Sequence, residues 1–181
     1  MRVKGTMMLD YVRIIRANRD QDWSKYLTPE DWQLIDSQIL SSNWYPYESF
    51  RRVSFAVFKV IAGGNLQTAQ AFGRFTIKNQ LRVYKNMLVP GDPVASVDRL
   101  ARLRRTFFEG EMNTRILEHG KGWLRYEIIV FAQEEDNERI EAFCHQLAGN
   151  LVELVEQSGG KNVKAEVSFA SGGAEIKVLW E

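Results

Sequence analysis

Apolar positions recur with a helical period through the first 108 residues. In "MMLDYVRIIRA" they fall at 8, 9, 11, 12, 14 and 15, which predicts a helix with a wide apolar side. "TPEDWQLIDSQI" predicts a second helix: Thr28 is placed to cap it, Pro29 suits its first turn, and Glu30 and Asp31 favour its dipole. A third helix is expected through "FRRVSFAVFKVI", ended by Gly63-Gly64. The longest is expected over Leu66–Leu88, closed by "VPGDP", and a fifth runs from Pro93 to about Phe108 behind an Asp92 cap.

Beyond Gly110 the period changes to two. "EMNTRILEH" and "WLRYEIIVF" flank "GKG" and predict a hairpin, with Leu124, Tyr126, Ile128 and Val130 sharing a face. "QEEDNE" opens a helix whose apolar positions are 140, 143, 144, 147, 151, 154 and 155. "VKAEVSF" and "AEIKVLW" then alternate around "SGG" as a second hairpin, with Val163, Ala165, Val167 and Phe169 on one face and Ile176, Val178 and Trp180 on another. The pattern predicts an α+β protein in which an N-terminal helical half packs on a four-stranded antiparallel sheet, ordered β-β-α-β-β. One domain over 1–181 is expected, with a helical half at 1–108 and the β-β-α-β-β half at 109–181.

Charge adds a feature that periodicity hides. Net charge is +1, yet residues 1–108 carry +8 and residues 109–181 carry −7. Arg74, Lys78, Arg82 and Lys85 form one row along the longest helix, and no Asp or Glu occurs between Glu48 and Asp92. The row is read as a surface that meets an acidic partner, either a second copy in a homodimer or a signalling protein. Nucleic acid is not expected, because the tethered acidic half repels phosphates. No run approaches the roughly 18 apolar residues of a membrane span. An acid at Asp10 precedes any long apolar run, so no signal peptide is read and a cytoplasmic location is expected.

The chemistry-bearing residues are sparse. Two histidines, His119 and His145, and one cysteine, Cys144, have no spacing that builds a metal site, and no nucleophile has an evident base. No Gly-rich phosphate loop is present. The chain is therefore expected not to be an enzyme. In the fifth helix Arg104 falls within the apolar arc of Val94, Val97, Leu100, Ala101, Leu103, Phe107 and Phe108. It is expected to snorkel to solvent, to meet a carboxylate of the chain, or to line a pocket for an anionic or carbonyl-bearing ligand.

"VKGTMM", "NWYP", "GRF", "VYKNMLVPGDP", "RLARLRRTFFEGE" and the terminal "VLWE" together resemble an uncharacterised bacterial domain family with many paralogues in myxobacteria. That family looks related to the fold shared by heme-nitric-oxide-binding (H-NOX) domains, 4-vinyl-reductase-type domains and the vesicle-tethering TRAPP subunits. The resemblance implies a helical part on an antiparallel sheet, with a ligand cavity in several members. H-NOX domains hold heme through a histidine on the helix before the first hairpin, and Pro93–Phe108 has none. Their Tyr-x-Ser-x-Arg motif is absent, and so are the cysteines that 4-vinyl-reductase-type domains carry near their last strands. Neither heme nor a metal is carried over. The expectation is a non-catalytic sensory or small-molecule-binding domain in bacterial signalling, taking a small, largely apolar molecule without a cofactor. Its candidate pocket is Phe72, Tyr84, Arg104, Phe107, Tyr126 and Ile128. The alternative is a protein–protein interaction or scaffold domain of the vesicle-tethering type.

Overall fold

A computed structural model describes residues 1–109, 114–129, 136–170 and 173–181. Its helices are α1 (Gly5–Ala17), α2 (Pro29–Asp36), α3 (Tyr47–Val60), α4 (Leu66–Val83), α5 (Pro93–Arg105) and α6 (Asn137–Gln157). Its strands are β1 (Arg2–Lys4), β2 (Trp44–Pro46), β3 (Phe108–Glu109), β4 (Thr114–Gly120), β5 (Trp123–Ile129), β6 (Lys164–Ala170) and β7 (Gly173–Leu179). The α+β class and the antiparallel β-β-α-β-β order are as expected. Parts of several expected segments lie outside the described residues: Glu111–Asn113 of the first hairpin, Val130, Gln133–Glu135 of the acidic run, and Ser171-Gly172. Among the described residues no helix is long and apolar enough to cross a membrane.

Contacts group the chain into two compact units. The first is Met1–Asn65 with Phe107–Gly110, and holds α1, α2, α3 and a small sheet in the order β2-β1-β3. These short strands add a small sheet that the reading of a helical half did not include. Val3 pairs with Tyr45 on one side and Phe108 on the other. Phe108 meets the Phe50 ring edge-on at 6.0 Å, so the chain leaves α5 at Arg105 rather than Phe108 to supply β3. The α2 start follows its sequence signal: Thr28 and Asp31 form a reciprocal capping box. Asp31 does more than cap. It is fully buried and takes two hydrogen bonds from Arg52, at 2.6 and 2.9 Å.

The second unit is Leu66–Thr106 with Glu111–Glu181. Its sheet runs β4-β5-β7-β6, antiparallel throughout. Leu124, Tyr126, Ile128, Ala174, Ile176 and Val178 point to one face and are buried, as strict alternation demands. The other face carries ion pairs across strands, with Arg125 bonded to both Glu175 oxygens at 2.7 Å and to Glu118 at 3.2 Å. Phe169, expected on one face with Val163, Ala165 and Val167, is half exposed at the end of β6.

α6 packs on the inner face of this sheet and against α4, so it is buried on all sides from Leu147 to Val155. The α4 contact is a close backbone crossing. Gly73 and Gly149 face each other, and a Cβ built on either would lie 1.9 Å from a carbonyl oxygen of the opposite helix. Asn150 fills the crossing's polar needs, donating to the Gly73 carbonyl at 2.6 Å and to Thr76 at 3.0 Å. α4 stops at Val83 and is followed by a single 3-10 turn, Lys85–Met87, so the expected helix to Leu88 is one turn too long.

Candidate ligand site

α5 positions the first functional side chain by its spacing. Val97, Leu100, Ala101 and Arg104 recur at intervals of three, one and three, which is one helix face, and all four are buried. Arg104 therefore does not snorkel: it is 3% exposed. Its place in the last turn of α5 sets its charge near the carbonyl end of the helix dipole, which favours a cation. The guanidinium lies over the Phe143 ring of α6, 5.6 Å from the centroid, a cation–π arrangement.

The sheet supplies the other two groups. Tyr126 stands on central strand β5, inward-facing and fully buried. Thr114, also fully buried, pairs with Ile128 and so lies diagonal to Tyr126 on the same face. Tyr126 Oη and Thr114 Oγ1 are each shielded from solvent without a hydrogen-bond partner. Thr114 is near enough to ease ionisation of the Tyr126 hydroxyl, but the two oxygens do not reach hydrogen-bond geometry. Burial raises the Tyr126 pKa; the Arg104 and Arg105 charges oppose this and Asp98 adds to it. Two orphaned buried hydroxyls cost about 1–3 kcal/mol each, against the 0.5–1.5 kcal/mol a satisfied bond returns. That is an expense a core of this size has no structural reason to carry.

Of the six residues expected to line a pocket, Tyr126 and Ile128 belong to one core cluster, and Tyr84 packs against it half-buried. Arg104 joins them through Phe143 and Tyr126. Phe72 and Phe107 do not. Phe72 sits half-buried on α4, stacked on Phe75 at 6.1 Å, and Phe107 belongs to the first unit. Thr114 was not among the expected residues, although its parity with Ile116 on β4 places it on the inner face.

The cationic row also needs correction, because acids distant in sequence relieve half of it. Arg74 donates to Glu153 at 2.9 Å and also pairs with Glu156, while Lys78 lies 3.4 Å from Glu153. Glu153 is buried; burial pushes its pKa up, but Gln157, Arg74 and Lys78 together hold it below the ordinary value. Arg82 and Lys85 remain exposed, beside a Val83 that is 73% exposed.

The remaining reactive groups are muted. Cys144 is buried and its thiol is pushed up to about 12, chiefly by burial, so it stays protonated. Burial lowers the His145 pKa, which keeps that imidazole neutral at pH 7. His119 is exposed on β4. Among the described residues no three His, Cys, Asp or Glu side chains are grouped to hold a metal ion.

No protein-family model matches this sequence, and no curated protein is significantly similar to it. Solved structures do match. An H-NOX protein from S. oneidensis in the Fe(II)NO ligation state is similar over 98% of this chain and 99% of that one, with a TM-score of 0.66 and 11% identity. The fold is H-NOX-like. A mutant Fe(II) unliganded H-NOX protein from K. algicida matches with a TM-score of 0.62 and 10% identity, over 98% and 96% of the two chains. An oxygen-binding H-NOX domain related to soluble guanylate cyclases matches with a TM-score of 0.60 and 14% identity, over 98% and 95%. Within this H-NOX-like fold, Arg104, Tyr126 and Thr114 gather on the inner side of the four-stranded sheet.

Proposed function

We propose that the chain is a non-catalytic sensory domain of bacterial signalling that binds a small molecule without heme. The observation that carries this reading is the pair of buried, unsatisfied hydroxyls, Tyr126 Oη and Thr114 Oγ1, beside buried Arg104. A ligand group that bonds both hydroxyls turns their cost into binding energy, which is how a ligand site differs from a core. The H-NOX-like fold supports the class of job, since the similar structures include Fe(II)NO and oxygen complexes.

Heme is a different matter, and the residues present do not fit it. α5 offers its core Val97, Leu100, Ala101 and Arg104, none of which ligates iron. The possible ligands in the core cluster are Met87, Tyr126 and Cys144. Burial raises the pKa of both Tyr126 and Cys144, which opposes the anionic forms that bind iron. Stoichiometric hemin is therefore expected to give no sharp Soret band with the purified protein. A sharp band that disappears in His145→Ala would overturn the heme-free reading. Native mass spectrometry of the protein isolated from its own host tests the binding reading itself. A bound small molecule is expected, and a bare chain would contradict it.

A further inference from the structure

We infer that β6 is an open sheet edge through which two copies of this chain pair, antiparallel, about a two-fold axis at Ala165. The two edges of the four-stranded sheet are unlike. β4 breaks its register with β5 between Ile116 and Glu118, an irregularity of the kind that blunts an edge. β6 pairs with β7 without a shift from Lys164 to Ala170, contains no Pro, and bonds to no other strand among the described residues. Its side chains alternate, with Lys164, Glu166 and Ser168 exposed on the outer face and Ala165 and Val167 half-buried on the inner one. A regular edge of this length leaves a row of backbone N–H and C=O groups for another strand to meet.

Charge and apolar cover together choose a second copy, and one register. With the axis at Ala165, Lys164 of each copy lies opposite Glu166 of the other, giving two ion pairs on the outer face. Within one chain Lys164 faces Leu179 across the sheet and has no ion pair among the described residues. On the inner face Val163 lies opposite Val167, and Ala165 opposite its own counterpart. All three are partly buried apolar residues at the rim of the core, which a second edge would cover. Phe169, half exposed, falls diagonal to Val163 of the other copy, within reach of an aromatic ring. Moving the axis to Lys164 or to Glu166 sets like charges against each other, and moving it to Val167 leaves both charges without a partner. A lysine on an edge strand usually repels other edges. Here Glu166, two residues on, turns that charge into a mark of register. The pairing needs no ligand and is independent of the sensory reading.

Sedimentation of the full chain is expected to show a reversible monomer–dimer equilibrium. Lys164→Glu and Glu166→Lys each set like charges opposite and should weaken it roughly tenfold or more, whereas the double variant should return to within about threefold of wild type. All three should melt close to wild type, because both positions are exposed. Oxidation reads the register. Ala165→Cys should cross-link two copies, its Cα atoms being about 5 Å apart, and Val167→Cys should not, at about 13 Å. Cys144, the chain's single cysteine, is buried and does not compete. A chain that stays monomeric up to about 1 mM, a dimer indifferent to both single variants, a double variant no better than the singles, or cross-linking through Val167→Cys in place of Ala165→Cys each overturns the inference.

Discussion

Gly73→Ala should destabilise the second unit by about 3 kcal/mol or more, an unusually large effect for one methyl group. The new Cβ would sit 1.9 Å from the Gln146 carbonyl oxygen and 2.8 Å from its carbon. Both are backbone atoms, so no rotamer change relieves the clash, and α4 must move off α6. Parting the helices strains the Asn150 bonds to Gly73 and Thr76 and the Arg74 bond to Glu153. Gly149→Ala should behave alike, since its Cβ would lie 1.9 Å from the Gln70 carbonyl oxygen. Ala71→Ser, at an exposed position of the same helix, should stay within about 0.5 kcal/mol. Denaturant unfolding of the three variants decides the matter. A Gly73→Ala protein as stable as Ala71→Ser would mean that the two helices are not this close.

Asp31→Ala is the other large effect, expected at about 3–5 kcal/mol in the first unit. It strands the Arg52 guanidinium, removes the acceptor for the Thr28 backbone N–H at 3.0 Å, and breaks the capping box of α2. The pH dependence has a definite sign. Burial raises the Asp31 pKa, but hydrogen bonds from Arg52, Thr28 and Ser49 and the Arg52 charge outweigh it, so the folded value is lowered. Its stabilisation is therefore complete above the ordinary carboxylate pKa of about 3.9 and is lost as pH falls through the depressed folded value. Melting of Asp31→Asn should lie well below wild type at pH 7, with the gap narrowing below about pH 4. A gap that stays constant down to pH 2 would show that the charge contributes nothing.

Local periodicity made most of the elements legible, and it failed where packing depends on contacts far apart in the chain. α6 illustrates the limit. Its apolar positions, Ile140 through Val155, mark one face, and that face does meet the sheet. The second buried face is made of Gly149, Asn150 and Glu153, which look like solvent positions. They are buried because two backbones touch there, and close approach leaves no apolar signature. For the same reason the cationic row of α4 looked unrelieved, as Glu153 and Glu156 lie about eighty residues further on.

The candidate site was half legible. Arg104 stood out as a charge within an apolar arc, and Tyr126 and Ile128 followed from alternation in β5. Thr114 was missed because a threonine flanking a hairpin usually faces water, and only its register with Ile128 shows otherwise. Phe107 was drawn in by helical projection past Arg105, where the helix has already ended.

The most direct measurement is a crystal structure of the protein taken from its own host, at a resolution that shows ordered water. The account predicts non-protein density at the inner face of the sheet, extending beyond one water and within hydrogen-bond distance of Tyr126 Oη and Thr114 Oγ1, with Arg104 beside it. A single water joining the two hydroxyls, or hydroxyls that turn to protein partners in a filled core, would contradict it.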